Sequence, residues 1–248
     1  MNYTTNQIAQ MFGIHTNTVR FYEEMGLLPK VERLHNGYRI FDERHVEQIR
    51  LIRIAFKDKL IKGNLRKMIV NMLKFAADER FEDAEIEAGL YFLRLVKLKS
   101  HAYDTENYIR EQGGKQNPAK SRSYSKSEIM EMLDISGEAL RHWERSGLIE
   151  YPRNESGRIY FTPREYKLLS IISLLREGDY SVEDIADMLE QVGIYHGEST
   201  KTDMAIAAKP GENLLEAIDK ILETLTEAME NYPKIREILK RRKEQTIQ

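Results

Sequence analysis

Two segments of this chain spell one pattern. Tyr3 to Leu28 (YTTNQIAQMFGIHTNTVRFYEEMGLL) and Tyr124 to Ile149 (YSKSEIMEMLDISGEALRHWERSGLI) align without a gap, each residue of the second lying 121 positions after its counterpart. Such a repeat commits the chain to building one small domain twice. Each copy opens with a capping box, Thr4 with Gln7 and Ser125 with Glu128, in which side chains satisfy the orphan amides of a helix start. An apolar face follows as Ile8, Met11 and Phe12 in the first copy and as Ile129, Met132 and Leu133 in the second. Gly13 and Asp134 then suit a left-handed or turn conformation, Ile14 and Ile135 plug the turn, and a second helix is expected at Thr16–Met25 and Gly137–Ser146. The pattern predicts a helix-turn-helix in each copy.

The second helix of each copy carries the more specific signal. Asn17-Thr18-Val19-Arg20-Phe21-Tyr22-Glu23 ends in Gly26-Leu27-Leu28, and Glu138-Ala139-Leu140-Arg141-His142-Trp143-Glu144 ends in Gly147-Leu148-Ile149. A small or apolar residue, Arg, two aromatics, Glu, then Gly-Leu-aliphatic resembles the winged helix-turn-helix of the MerR family of transcription regulators. In the first copy Asn36-Gly37-Tyr38-Arg39-Ile40-Phe41 resembles that family's wing: Asn-Gly suits a tight turn and Tyr-Arg-Ile-Phe a strand, before Asp42 caps the next helix. The likeness is close over roughly residues 3 to 112. In the second copy the recognition helix matches but the wing departs, since Glu155-Ser156-Gly157-Arg158-Ile159-Tyr160-Phe161-Thr162 has no Tyr-Arg pair and Arg158 reaches the place of Arg39 only in a gapped alignment. Further helices recur, one starting at Thr162-Pro163 and one capped by Ser181 with Asp184.

The resemblance implies a set of DNA contacts. Thr16, Asn17, Thr18, Arg20 and Tyr22 face the major groove and backbone in head one, with Tyr38 and Arg39 on the wing. Ser136, Glu138, Arg141, His142 and Trp143 match the recognition helix of head two, with Arg158 on its wing. Short polar side chains at a helix start meet phosphates or base edges, and Arg reads guanine or holds backbone. Alternatives stand beside these roles: Tyr22 and Trp143 close a small core instead, and Arg20 and Arg141 pair with Glu23 and Glu144 on their own helix. Glu138 repels phosphate, so it either accepts from cytosine or weakens the second head.

Composition narrows the function. With 41% hydrophobic and 9% aromatic residues the chain can hold two small cores, and no run approaches the roughly 18 apolar residues of a membrane span. A soluble, cytoplasmic protein without a membrane partner is expected, and Met1-Asn2-Tyr3-Thr4 lacks the basic start and apolar run of a signal peptide. Zero cysteines exclude disulfides, iron–sulfur clusters and thiolate metal sites. MerR relatives that sense mercury, copper, zinc or superoxide through cysteine are therefore no guide to an effector here. His15, His35, His45, His101, His142 and His196 have no paired ligand spacing, the carboxylates follow helical faces, and no glycine-rich phosphate loop occurs. The expectation is no metal, no cofactor and no enzyme. A net charge of −2 is unusual for a nucleic-acid binder, but Arg20, Lys30, Arg33, Arg39, Lys57, Lys59, Lys62, Arg66 and Lys67 gather around head one, while acids concentrate at 78–87 and 212–230.

A long helix from about Glu82 to Gln112 carries Ala84, Ala88, Tyr91, Leu95, Leu98, Ala102, Thr105 and Ile109 at coiled-coil spacing. Leu214, Ile218, Ile221, Leu225, Ala228 and Tyr232 repeat that spacing until Pro233, which is expected to interrupt the helix. The fold expected is mainly α: two winged helix-turn-helix domains joined by long coiled-coil helices, with small β wings. Its parts are a first head at 1–76, a long helix at 77–112, a linker at 113–123, a second head at 124–193, a loop at 194–211 and a C-terminal helix and tail at 212–248. MerR relatives pair as homodimers through an antiparallel coiled coil. About 31 helical residues travel roughly 46 Å and carry the chain to where a partner's head would sit. The preferred expectation is an intrachain pseudo-dimer, and a four-headed homodimer is the alternative. By resemblance the partners are double-stranded promoter DNA and RNA polymerase, with the promoter spacer distorted on binding. A protein-interaction or DNA-architectural module without its own effector switch is the competing function.

Overall fold

The computed structural model describes residues 2–57, 63–110, 123–191 and 213–247. The expected linker lies outside them except for Ser123, as do the expected loop at 194–211, Gln112, Lys59 and Lys62. In chain order the elements are α1 (Thr5–Phe12), α2 (Thr16–Glu24), β1 (Glu32–Arg33), β2 (Arg39–Ile40), α3 (Glu43–Ala55), α4 (Gly63–Ala77), α5 (Phe81–Arg110), α6 (Lys126–Leu133), α7 (Gly137–Arg145), α8 (Pro163–Glu177), α9 (Val182–Gln191) and α10 (Leu214–Ile247). The molecule is mainly α, with one small wing sheet among the described residues. None of the described helices is long and apolar enough to cross a membrane.

The chain divides into two compact units, residues 1–97 with 224–248, and residues 98–223. In the first, Thr4 and Gln7 form the capping box of α1, and Gly13 ends it at φ 59°, a left-handed value that glycine adopts without a Cβ penalty. His15 rather than a threonine caps α2, its Nδ1 accepting from the Asn17 amide at 3.1 Å. Ile8, Val19, Leu28, Phe41, Ile49 and Ile52 close the core. Met11, expected on the buried face, is 48% exposed. In a helix this short Ile8 and Ala9 fill the contact with α2, and the turn at Gly13 leaves nothing to cover Met11. β1 and β2 pair antiparallel with Arg33 opposite Arg39, around a turn in which the Leu34 amide donates to the Tyr38 carbonyl at 2.8 Å and Gly37 takes φ 83°.

The second unit repeats this construction. Ser125 and Glu128 form the capping box of α6, Asp134 ends it at φ 54°, and Ser136 caps α7. Met132 is 42% exposed, as Met11 is in its own head. Bridges Tyr124↔Phe161 and Arg153↔Ile159 stand where head one has Tyr3↔Phe41 and its wing. Thr162 with Glu165 and Pro163 starts α8, and Ser181 with Asp184 starts α9, as their sequence predicts. At Gly178 a Cβ would lie 2.7 Å from Ile221 Cδ1, so a side chain there would have to displace the Ile221 side chain of α10.

On α5 the seam expected from spacing is buried at Ala84, Ala88, Tyr91, Leu95, Leu98, Ala102 and Thr105. Within the first unit α10 runs antiparallel to α5. Phe92 stacks on Tyr232 with ring centroids 4.3 Å apart, while Lys243 reaches back to Glu82 at 2.9 Å and Glu85 at 3.4 Å. Pro233 does not interrupt α10, which continues to Ile247. An interior proline costs about 3 kcal/mol, and burial of Ile235, Ile238, Leu239 and Arg242 beyond it supplies the compensating packing.

Candidate nucleic-acid interface

Helix α2 presents Asn17 and Arg20 to solvent, with Thr16, Thr18 and Tyr22 half-buried and Phe21 52% exposed. Arg20 makes no ion pair with any described residue, so the same-helix pair with Glu23 does not form. Glu23 is instead gripped by two wing arginines, Arg33 at 3.2 Å and Arg39 through its Nε. The Glu23 carboxylate thus ties the recognition helix to the wing, and Arg39, implied as a DNA contact, serves as one end of that tie. Tyr38, 71% exposed at the wing turn, projects freely. Burial raises the Tyr22 hydroxyl above its ordinary pKa, against the opposing charge of Arg53.

The second head brings Ser136, Glu138, Arg141 and His142 to the same face, all exposed. Ser136 is occupied as N-cap, accepting from the Ala139 amide at 3.1 Å. Glu144 pairs with Arg153 at 2.6 Å and not with Arg141, reproducing the helix-to-wing tie with one arginine. Trp143 is only 4% exposed, a placement that fits the core-closing alternative. Arg158 follows the left-handed Gly157, and its carbonyl accepts from the Asn154 amide at 2.9 Å, as Tyr38 follows Gly37 and accepts from Leu34. The second wing is therefore one residue shorter in register: Arg158 occupies the place of Tyr38, and Ile159 that of Arg39.

Sequence reasoning missed what seats the heads on the long helices. In the first unit Gln48, fully buried, donates from Nε2 to the carbonyls of Leu27 at 2.8 Å and Leu73 at 2.9 Å, while its Oε1 accepts from Arg242. Arg242, 4% exposed, also donates to the Ala76 carbonyl at 3.1 Å and lies over the Phe81 ring. Burial lowers its pKa to about 10, leaving it charged at neutral pH. Arg241 pairs with Glu47 beside it, and these side chains with Arg44 and Glu79 border a cavity of about 530 Å³. The segment that follows the recognition helix, α4 and α10 thereby meet at one amide. In the second unit the corresponding stretch of α8 uses a serine–histidine hydrogen bond, Ser170 with His101 at 2.5 Å, and a cation–π contact of Lys167 over the Tyr108 ring. A glutamine between Val46 and Ile49 was the available signal for the first of these joints.

Comparison with known proteins agrees with this geometry. The MerR family regulatory protein model matches residues 4–41, and the MerR HTH family regulatory protein model matches residues 124–192. The uncharacterized HTH-type transcriptional regulator YyaN of Bacillus subtilis is 32% identical over 125 residues, covering 50% of this chain and 83% of that protein. The mercuric resistance operon regulatory protein of Bacillus cereus is 32% identical over 53 residues, 21% of this chain, which spans 40% of that protein's length. The regulator CueR of Yersinia pestis is 27% identical over 101 residues, 38% of this chain and 73% of its own. No solved structure matches the chain significantly.

Proposed function

The chain belongs to the MerR family of DNA-binding transcription regulators, and on that premise we propose that it engages promoter DNA with two non-identical heads of one chain and distorts the spacer between promoter elements. Asn17, Arg20 and Tyr38 read DNA in head one, with Thr16 and Thr18 at the helix start; Glu138, Arg141, His142 and Arg158 do so in head two. Trp143 and Arg39 hold those readers in place. RNA polymerase is the further partner, and a small spacer deformation rather than occupancy is the means of control.

The observation that carries this reading is the antiparallel contact of α5 and α10, Phe92 against Tyr232 and Lys243 against Glu82. An antiparallel coil is what places paired heads at opposite ends, and here both strands come from one chain. Because the chain has no cysteine, Phe92→Cys with Tyr232→Cys tests it directly. The oxidised double variant is expected to run as one cross-linked chain and to protect an asymmetric site. A disulfide joining two chains, with a symmetric footprint, would refute the pseudo-dimer while leaving the family intact.

A further inference from the structure

In head one a basic row leads from the recognition helix onto the body of the domain. The Arg53 guanidinium of α3 faces the Tyr22 hydroxyl of α2. Just past the end of α3, the Arg66 guanidinium of α4 lies over the Phe56 ring, 4.9 Å from its centroid. These two contacts carry a row of exposed cations, Arg53, Lys57, Arg66 and Lys67, from α2 across to α4. None of the four is ion-paired with a described residue, whereas Arg44, Arg50 and Arg80 of the same head all are. Head two reverses the row. Counted 120 positions on, the buried Ile49, Ile52, Leu65 and Ile69 become Leu169, Ile172, Ile185 and Leu189, likewise buried, which fixes the equivalence. Ser173 then stands for Arg53 and is buried, its hydroxyl donating to the Ser170 carbonyl at 3.0 Å. Glu177 stands for Lys57, Ala186 for Arg66 and Asp187 for Lys67. Glu183, Asp187 and Glu190 share one exposed face of α9 at helical spacing, and none of them is ion-paired with a described residue.

We propose that head one alone carries a second grip on DNA. Arg53, Lys57, Arg66 and Lys67 lie along phosphates beside its half-site, and the matching face of head two, with Glu183, Asp187 and Glu190, stays off the duplex. The inference rests on the reading of two heads on one promoter, and adds how much backbone each head holds. Exposed cations that lack a protein partner and stand in a row fit the regular negative charge of a duplex, about one charge per 1.7 Å of its axis. Acids in the same place meet phosphate with like charge. The two heads thereby grip unequal lengths of backbone, which gives the complex a polarity that identical heads would lack.

The test is phosphate-ethylation interference on a duplex that the natural protein selects from random sequence. Interfering phosphates are expected at both half-sites, with an additional set beside one of them only. In the triple variant Lys57→Ala, Arg66→Ala, Lys67→Ala the additional set is expected to vanish, and the slope of log K against log salt to flatten by about 3. The loss should be similar on the selected duplex and on an unrelated one, because phosphates carry no sequence. The triple variant Glu183→Gln, Asp187→Asn, Glu190→Gln is expected to keep its affinity within about twofold, since charges held away from the duplex are screened. Additional phosphates at both half-sites or at neither overturn the proposal, and this pattern in the natural protein decides the matter even if a variant folds poorly. An unchanged salt slope in the folded cation variant, or a clear gain of affinity in the acid variant, overturns it as well. A natural protein that selects no site removes the two-headed reading, and this inference with it.

Discussion

The two heads share what fixes their geometry and differ in what meets solvent. Glu23 tied to Arg33 and Arg39 recurs as Glu144 tied to Arg153, and the left-handed Gly37 recurs as Gly157. The exposed row Asn17, Arg20, Phe21 and Tyr38, however, becomes Glu138, Arg141, His142 and Arg158. Repetition has kept the frame and changed the exposed row, which is what the proposal of two heads on different half-sites requires. The seats differ as well. Head one offers Glu47 and Gln48 to Arg241 and Arg242, while head two places Lys167 where head one has Glu47. The basic end of α10 would meet a like charge on the wrong head, so this contrast discourages exchanged pairings.

The sharpest way to break the comparison is at the paired aromatics. Trp143→Ala removes a nearly fully buried side chain and is expected to destabilise head two by about 3–5 kcal/mol, whereas Tyr22→Ala, half-buried, is expected to destabilise head one by clearly less. Amide exchange of α6–α7 against α1–α2 reads each head separately. Equal losses would mean that the two aromatics do the same work despite their burial.

The seats come next in size. Gln48→Leu gives head one the residue found at the equivalent place in head two, Leu168, and leaves the Arg242 guanidinium buried with one acceptor fewer. A loss of about 2–3 kcal/mol is expected, while Ser170→Ala, which removes the hydrogen bond to His101, is expected to cost about 1 kcal/mol. Adding Arg242→Met to Gln48→Leu should recover most of the first loss, because the unpaired charge goes with it. Urea midpoints of the three variants decide the matter, and absence of recovery would show that Gln48 acts through Leu27 and Leu73 alone.

What the sequence made legible follows from range. Capping boxes, the left-handed positions at Gly13 and Asp134 and the seam of α5 are set within a turn or two of chain, and each was readable from neighbouring residues. Pro233 misled because a local penalty was outweighed by contacts of Ile235, Ile238, Leu239 and Arg242 that the sequence does not display. The same applies to the candidate interface. The resemblance implied an outer face for Asn17, Arg20, Glu138 and Arg141, and they are exposed, but the partner of Glu23 lay on the wing hairpin, and the buried link from Gln48 to Arg242 crosses nearly the whole chain. Arg158 was misplaced by one residue because a deletion between the recognition helix and the second wing changes the register without changing the turn.

On DNA the expected effects are smaller and asymmetric. Arg20→Ala is expected to weaken binding by about 1–3 kcal/mol, and Arg141→Ala by less, because Glu138 beside it already repels the backbone. Glu138→Gln is expected to strengthen binding at the second half-site and to steepen the salt dependence of the Arg141 contribution. Titrations on a site with either half scrambled read the two heads apart. Equal losses from Arg20→Ala and Arg141→Ala would abolish the distinction between a strong and a weak head.

The smallest expected difference is in acid. Helix α3 of head one is capped by Asp42, whereas α8 of head two is capped by the non-titrating Thr162. Burial alone would push the Asp42 carboxyl up, but hydrogen bonds from Arg44 and His45, with their charges, outweigh it and hold the pKa at about 2. A carboxyl depressed on folding stabilises the folded state fully above its ordinary pKa near 4, and that contribution is lost as pH falls toward 2. Asp42 is partly exposed, so screening limits it to less than about 1 kcal/mol. Asp42→Thr should therefore leave α3 less stable than the natural protein at pH 6, and the gap should narrow as pH falls to 2.5 and close only below the folded pKa of about 2, as read by exchange of the α3 amides. A gap unchanged between those pH values would place the work of Asp42 in its geometry as a cap rather than in its charge.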